Sequence, residues 1–269
     1  MLVLAGLFFT LPLVAPLVLT RARWHLRFPR IALSAWMLAF GGGIAAGVVL
    51  IIRSVLVALS AAETTSPGWG IALTLGAWAT LGAVGGVVAL VWSRAEPLSA
   101  SQHRGLRQVH PLAVAHEHVG RFCLIHFESP EPLVFTGAPL SREIYVSSGL
   151  WNHLVDYQRQ AVIAHEVMHL KFWHGPLVRL AEINAACLPL KLPAGREFKR
   201  SVMLLVELIA DDAAARRIGP ARYATTLVAM AGLTGEETLD LRARRLAGKN
   251  WRGPAVRARE FLYSLRITA

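Results

Sequence analysis

The chain has 269 residues, 54% of them hydrophobic, a formal net charge of +11 and two cysteines. That is too apolar for an ordinary soluble enzyme, and Cys123 and Cys187 lack the pairing pattern of a disulfide-built secreted domain; they fit a reducing compartment as core residues. The basic balance comes without a helix-turn-helix, zinc-finger or RNA-binding signature, so it reads as attraction to anionic lipid rather than to nucleic acid.

The first element in chain order is Met1–Thr20, a charge-free run. It has no positive leading region and no small-x-small cleavage site, and arginines follow it, which argues for a retained span rather than a cleaved signal peptide. Pro12 and Pro16 are tolerated there. Ile31–Ser60, apolar except for Arg53, and Trp69–Trp92, again charge-free, are the second and third spans. Each is long enough to cross about 30 Å of hydrocarbon as a helix. The glycines Gly41, Gly42, Gly43, Gly47, Gly82, Gly85 and Gly86 suit close contact between such helices.

The loops give an orientation. Arg21, Arg23, Arg27 and Arg30 fill the first, Glu63 is the charge of the second, and Arg94, Arg104 and Arg107 follow the third span. The positive-inside rule puts the N-terminus outside and everything after Ser93 in the cytoplasm. Arg53 is discordant and either snorkels or marks a long helix. Trp24, Trp69 and Trp92 suit an interfacial belt.

Ser93–Pro111 is polar and reads as a linker or lead-in helix. Phe122–His126, Leu133–Gly137 and Ile144–Ser148 read as short strands. Leu150–His174 is predicted as helix, broken near Val155, with Asn152 or Asp156 as its cap. Pro176–Pro193 reads as helix plus loop touching the membrane surface. Arg196–Arg217 is a helix stopped by Gly219-Pro220, Ala221–Ala231 another, and Thr238–Ala247 a basic helix.

The chemistry concentrates in His165-Glu166-Val167-Met168-His169, inside the apolar run Gln160–Leu170. Positions i and i+4 share a helix face, so both imidazoles can grip one zinc ion. Glu166 lies beside the metal without being spent as a ligand, placed to take a proton from a zinc-bound water. A catalytic zinc wants a third protein ligand and an open fourth position. Glu207 stands on an otherwise apolar helix about forty residues downstream, with Asp211 one turn later on the same face. Zinc would satisfy Glu207, and Asp211 would accept the outer N–H of a ligand histidine. Pairing of Glu207 and Asp211 with arginines such as Arg200 or Arg216 is the open alternative.

Tyr223, Arg222 and His174 are the candidates for stabilising an oxyanion. His174 otherwise reads as a surface or helix-end histidine rather than a fourth ligand. His110, His116, His118 and His126 form a loose cluster of solvated or packing histidines, with a second metal site the lesser reading. The Ile144–Ser148 strand is the expected edge for an extended substrate.

These residues carry a resemblance. His-Glu-x-x-His, Phe135-Thr136-Gly137, Ile144-Tyr145-Val146-Ser147-Ser148-Gly149-Leu150, the approach Ala161–Glu166 and Glu207 to Arg216 together look like the gluzincin branch of membrane zinc peptidases. The pattern is shared by the BlaR/MecR-type metallopeptidase family and by the HtpX heat-shock and CAAX prenyl proteases. The chain resembles the former more, because no clear pair of spans separates the motif from Glu207. With no Ser-x-x-Lys sensor domain after the peptidase region, β-lactam sensing is not carried over.

The resemblance implies His165, His169 and Glu207 as ligands of one zinc per chain, Glu166 as general base and acid, and Asp211 behind a ligand. It implies a zincin-like fold: an α-helical membrane protein with an α+β catalytic domain, a small sheet packed on the motif helix and a second ligand-bearing helix. The expected organisation is three spans over 1–93, a cytoplasmic peptidase over 94–232 and a basic helical extension over 233–269. The expected function is an integral membrane zinc endopeptidase acting on a protein or peptide, such as a cytoplasmic repressor or a membrane protein. Alternatives are a membrane-tethered signal transducer or antirepressor with a structural or autoproteolytic zinc, and an HtpX-like quality-control protease.

Overall fold

The structure, a computed structural model, describes residues 24–64, 67–189, 191–249 and 251. The expected first span, the loop arginines Arg21 and Arg23, and the chain after Trp251 lie outside these residues. The described chain is mostly helical with one small sheet. In order it has α1 (Trp24–Arg27), α2 (Pro29–Thr64), α3 (Pro67–Val109), a 3-10 turn (His110–Leu112), β1 (Ala113–Val119), β2 (Phe122–Phe127), β3 (Val134–Thr136), β4 (Glu143–Ser147), α4 (Ser148–Trp151), α5 (Asp156–Lys171), α6 (His174–Cys187), α7 (Pro193–Ile218), α8 (Pro220–Thr234) and α9 (Glu237–Ala247).

Two compact units result. One comprises residues up to Leu98 with Leu180–Leu205, the other Ser99–Arg179 with everything from Val206. This division differs from the boundary at Ser93 read in the sequence. Its breaks fall inside α3, α6 and α7.

Two stretches are long and apolar enough to cross a membrane: Pro29–Val57 in α2, and Gly70–Leu112, which runs from α3 through the 3-10 turn. Their hydroxyls are satisfied within the helix, as hydrocarbon would require: Ser54 donates to the Leu50 carbonyl at 2.8 Å, Thr74 to Gly70 at 2.9 Å and Thr80 to Gly76 at 2.8 Å. Leu38, Ile52, Leu75, Trp78, Val88 and Trp92 point outward. Ala32, Leu33 and Trp36 are buried, and Phe198 of α7 lies 5.1 Å from the Trp36 ring and stacks on Phe40 at 5.3 Å. Four of the glycines expected at helix contacts make no close approach within the described chain. A Cβ added at Gly41, Gly82, Gly85 or Gly86 meets nothing within 4 Å, so these positions are not close-approach contacts.

The second unit is built on a four-stranded sheet in the order β1-β2-β4-β3. β2 and β4 are parallel; the two outer pairings are antiparallel. Alternation sorts the side chains to two faces. Leu124, Ile144 and Val146 meet Val162, Ile163, Val167 and Met168 of α5 on one face. Ile125, Phe127 and Tyr145 form the other, with Leu106, Val109 and Phe135 against it. The opposite side of α5 is covered too: Ala161 and Ala164 pack with Ala214, Ala215 and Ile218 of α7, Tyr223 and Leu227 of α8, and Leu239, Ala243 and Leu246 of α9. Each large side chain fully buried in these clusters contributes about 1.5–3 kcal/mol of transfer free energy.

The predicted helix over Leu150–His174 is three elements. Ser147 caps α4, accepting from the Leu150 N–H at 3.1 Å. Its buried hydroxyl also accepts from the Leu133 N–H at 2.9 Å and donates to the Glu131 carbonyl at 2.6 Å. Gly149 has to be glycine, because a Cβ there would sit 2.2 Å from the Pro130 carbonyl oxygen. The expected caps are corrected: Val155 precedes α5, with the Gln158 side chain accepting its N–H at 3.1 Å, while Asn152 ends α4 and Asp156 is the first residue of α5.

Candidate metal centre

α5 is buried from Ala161 through Met168, which puts His165 and Glu166 in the interior rather than on a wet helix face. His165 and His169, one turn apart, bring their Nε2 atoms to 3.0 Å from each other. Glu207, from the second half of α7, reaches both: Oε2 lies 3.2 Å from His165 Nε2 and Oε1 lies 3.4 Å from His169 Nε2. All three groups offer a ligand atom within 4.8 Å of the others, and this is the one such trio among the described residues.

A tetrahedral zinc with bonds of about 2.0–2.1 Å holds neighbouring ligand atoms about 3.3 Å apart. The 3.0 Å between the two Nε2 atoms, and the 3.2 and 3.4 Å from them to the two different oxygens of Glu207, are of that size. Two imidazoles and one carboxylate are also a fitting donor set for zinc, which would take the place of a proton on His165: burial opposes charge on that ring, but its contacts with Asp211 and Glu207 win and raise it to about 10. Glu207 remains about a third exposed, so the group is not sealed from water.

Behind His165 stands a relay. The Tyr223 hydroxyl lies 2.8 Å from His165 Nδ1 and donates to Asp211 Oδ1 at 2.8 Å. Asp211 is itself 3.3 Å from His165 Nδ1 and fully buried. Its charge is met by Arg242 of α9, with Nε donating to Oδ2 at 2.8 Å and an NH2 donating to Oδ1 at 2.6 Å. The same guanidinium nitrogen lies 3.0 Å from Glu207 Oε2. Next along α7, Asp212 takes Arg245 at 3.0 and 3.1 Å and Lys249 at 2.5 Å, a second tie to α9 and the residues after it.

These contacts set the protonation of the group. Burial pushes the Glu166 carboxyl up to about 7, against the pull of His165. Burial and then the His165 charge press His169 down to about 3, leaving it a neutral imidazole. For Asp211, burial favours the neutral acid, but its bonds to Arg242 and His165 win and hold the carboxyl well below the usual range. Burial likewise opposes charge on Glu207, and the contact with His165 outweighs it, so that this carboxyl too is lowered.

Of the expected site residues, His165, His169 and Glu207 come together, with Glu166 buried beside His165 on α5 and Asp211 behind it. The partner of Asp211 is neither Arg200, which pairs with Glu197 at 3.3 Å, nor Arg216, whose guanidinium lies over the Trp251 ring. The sequence reading missed Arg242. Its signal was present: Leu239, Ala243 and Leu246 are the buried stripe of α9, and Arg242 falls within it.

The three oxyanion candidates go elsewhere. Tyr223 serves the Nδ1 side of His165, away from the Nε2 atoms. Arg222 is exposed, and its carbonyl accepts from Thr225 and Thr226. His174 is buried, not a surface histidine, with its Nδ1 3.1 Å from His169 Nδ1. The loose histidine cluster does not converge on a metal among the described residues: His126 pairs with Glu117 at 3.7 Å and sits edge-on to Trp151, and His116 Nδ1 lies 4.0 Å from Cys123 Sγ. The expected substrate edge is also corrected, since β4 is paired on both sides; the outer strands are β1 and β3.

Comparison with known protein families, with curated proteins and with solved structures gives no match to the chain.

Proposed function

We propose that the chain is an integral membrane zinc endopeptidase, with His165, His169 and Glu207 holding one zinc and Glu166 moving the proton. The observation that supports it most is the convergence of Glu207 from α7 on His165 and His169 of α5, with 3.0 Å between the two Nε2 atoms and 3.2 and 3.4 Å from them to the two carboxylate oxygens, beside a buried, unspent glutamate. The chemistry supplied by zinc bound there is Lewis-acid polarisation of a peptide carbonyl and acidification of water toward neutrality.

Glu166 takes the proton of the attacking water and delivers it to the leaving amine, a role suited to a carboxyl near neutrality. Tyr223 and Asp211 hold the His165 ring by its Nδ1, and Arg242 steadies both Asp211 and Glu207. An extended substrate adds to the open edge of β3, which lies against α5.

The outward apolar residues of α2 and α3 favour a bilayer as their surroundings. Arg27 just before the first of these helices and Arg30 in its first turn, with Arg94, Arg104 and Arg107 toward the end of the second, favour a cytoplasmic active site. Between α5 and α7 lies only α6, whose 14 residues are too short to span hydrocarbon. That supports a zincin-like BlaR/MecR-type membrane peptidase over an HtpX-like one.

The test is zinc content and cleavage of an unstructured protein by detergent-purified chain. Wild type should carry about one zinc and cleave. His165→Ala and Glu207→Ala should lose both, and Glu166→Gln should keep zinc and lose cleavage. A wild type purified without chelators that carries no zinc refutes the reading.

A further inference from the structure

Resting on that zinc reading, we infer that His174 is a positioning residue that fixes the proton of the ligand His169. On a continuing helix, residues five apart lie about 140° around the axis from each other and do not meet. Here they do, because the helix is broken between them. α5 ends at Lys171, Phe172 caps it, and Trp173 takes a left-handed φ of 57°.

Left-handed backbone at a bulky residue costs free energy and persists only where the surroundings impose it. The turn starts α6 at His174 and swings that side chain back under His169, with ring centroids 4.9 Å apart and edge-on. The start of α6 is pinned at Gly175, where a Cβ would lie 3.0 Å from the Pro139 Cα. Phe172 flanks the His174 ring at 5.8 Å, and His174 is 2% exposed.

Two ring nitrogens 3.1 Å apart make one hydrogen bond, with one donor and one acceptor. His169 can present a lone pair at Nε2 only as the tautomer protonated at Nδ1. That proton then goes to His174 Nδ1, which must be the acceptor. The reverse arrangement would aim an N–H of His169 at His165 Nε2 and Glu207 and close the ligand set to a cation. His174 thereby does for His169 what Tyr223 and Asp211 do for His165, and the strained turn at Trp173 is what brings it there.

The test compares zinc affinity, measured by chelator competition, for the full chain and its variants His174→Ala and His174→Asn. Asparagine keeps an acceptor oxygen near the Nδ1 position; alanine keeps none. The expected result is a loss of about 10–100-fold in His174→Ala with most of it recovered in His174→Asn. The melting temperatures of the EDTA-treated variants serve as the structural control and should not follow that order. Wild-type affinity in His174→Ala overturns this inference while leaving the zinc reading intact. Equal losses in both variants, tracking their melting temperatures, overturn it in favour of packing alone. If His174→Ala does not fold, His174→Asn with weakened affinity overturns it and with near wild-type affinity supports it. A wild type that binds no zinc overturns both.

Discussion

The Tyr223 hydroxyl stands between His165 and Asp211, 2.8 Å from the Nδ1 of one and 2.8 Å from the Oδ1 of the other. A phenol in that place accepts from the imidazole and donates to the carboxylate, so the His165 proton is held on Nδ1 and its Nε2 is left to bind. Tyr223→Phe keeps the ring in its apolar cluster and removes only the relay. Zinc affinity should fall about 10–100-fold while the melting temperature of the EDTA-treated protein changes little. Unchanged affinity in a chelator titration would show that Asp211, 3.3 Å from Nδ1, suffices alone.

Arg242 is the counterion of a carboxylate with no exposure. Arg242→Met should destabilise the second unit by about 3–5 kcal/mol, because it strips the buried Asp211 charge of its guanidinium and leaves it only Tyr223 and His165. Asp211→Leu combined with Arg242→Met should cost less than the sum of the two single changes. Thermal unfolding of the four proteins in one detergent checks this, and strict additivity would contradict it.

Gly149 offers a change that should separate stability from chemistry. Gly149→Ala must push the α4 turn off the Pro130 carbonyl, an overpacking worth about 1–3 kcal/mol. The melting temperature should drop, and zinc stoichiometry measured at low temperature should stay at the wild-type value.

Zinc should stabilise the chain by mass action. At free zinc about 100 times its Kd, the gain is about 2.7 kcal/mol, reversed by EDTA. Melting curves with and without zinc should separate for wild type and Glu166→Gln and coincide for His165→Ala and Glu207→Ala.

The convergence of His165, His169 and Glu207 was legible because helical spacing favours it: His165 and His169 share a face by arithmetic, and a lone carboxylate in the apolar stretch around Glu207 asks for a cation. Long-range partners were less so. Arg242 sits in a segment whose basic residues look like a solvated face, and only its place in the Leu239–Leu246 stripe marks it as buried. His174 was unreadable because its approach to His169 depends on a left-handed residue where sequence statistics expect glycine. β1 escaped notice because, as an outer strand, it carries His116, Glu117 and His118 with little apolar alternation. The polar stretch Ser93–Pro111 left linker and lead-in helix open, and it is the helix, since α3 continues through Pro97 to Val109.

α5 has apolar neighbours on both sides, the sheet on one and α7, α8 and α9 on the other. No face of it can loosen without opening one core or the other. The amides of Ala161 to Met168 should therefore exchange with deuterium only when the whole second unit opens, more slowly than those of the outer strand β1. The helix that carries His165 and His169 has no local melting mode of its own: as long as the unit is folded, the two imidazoles are in place.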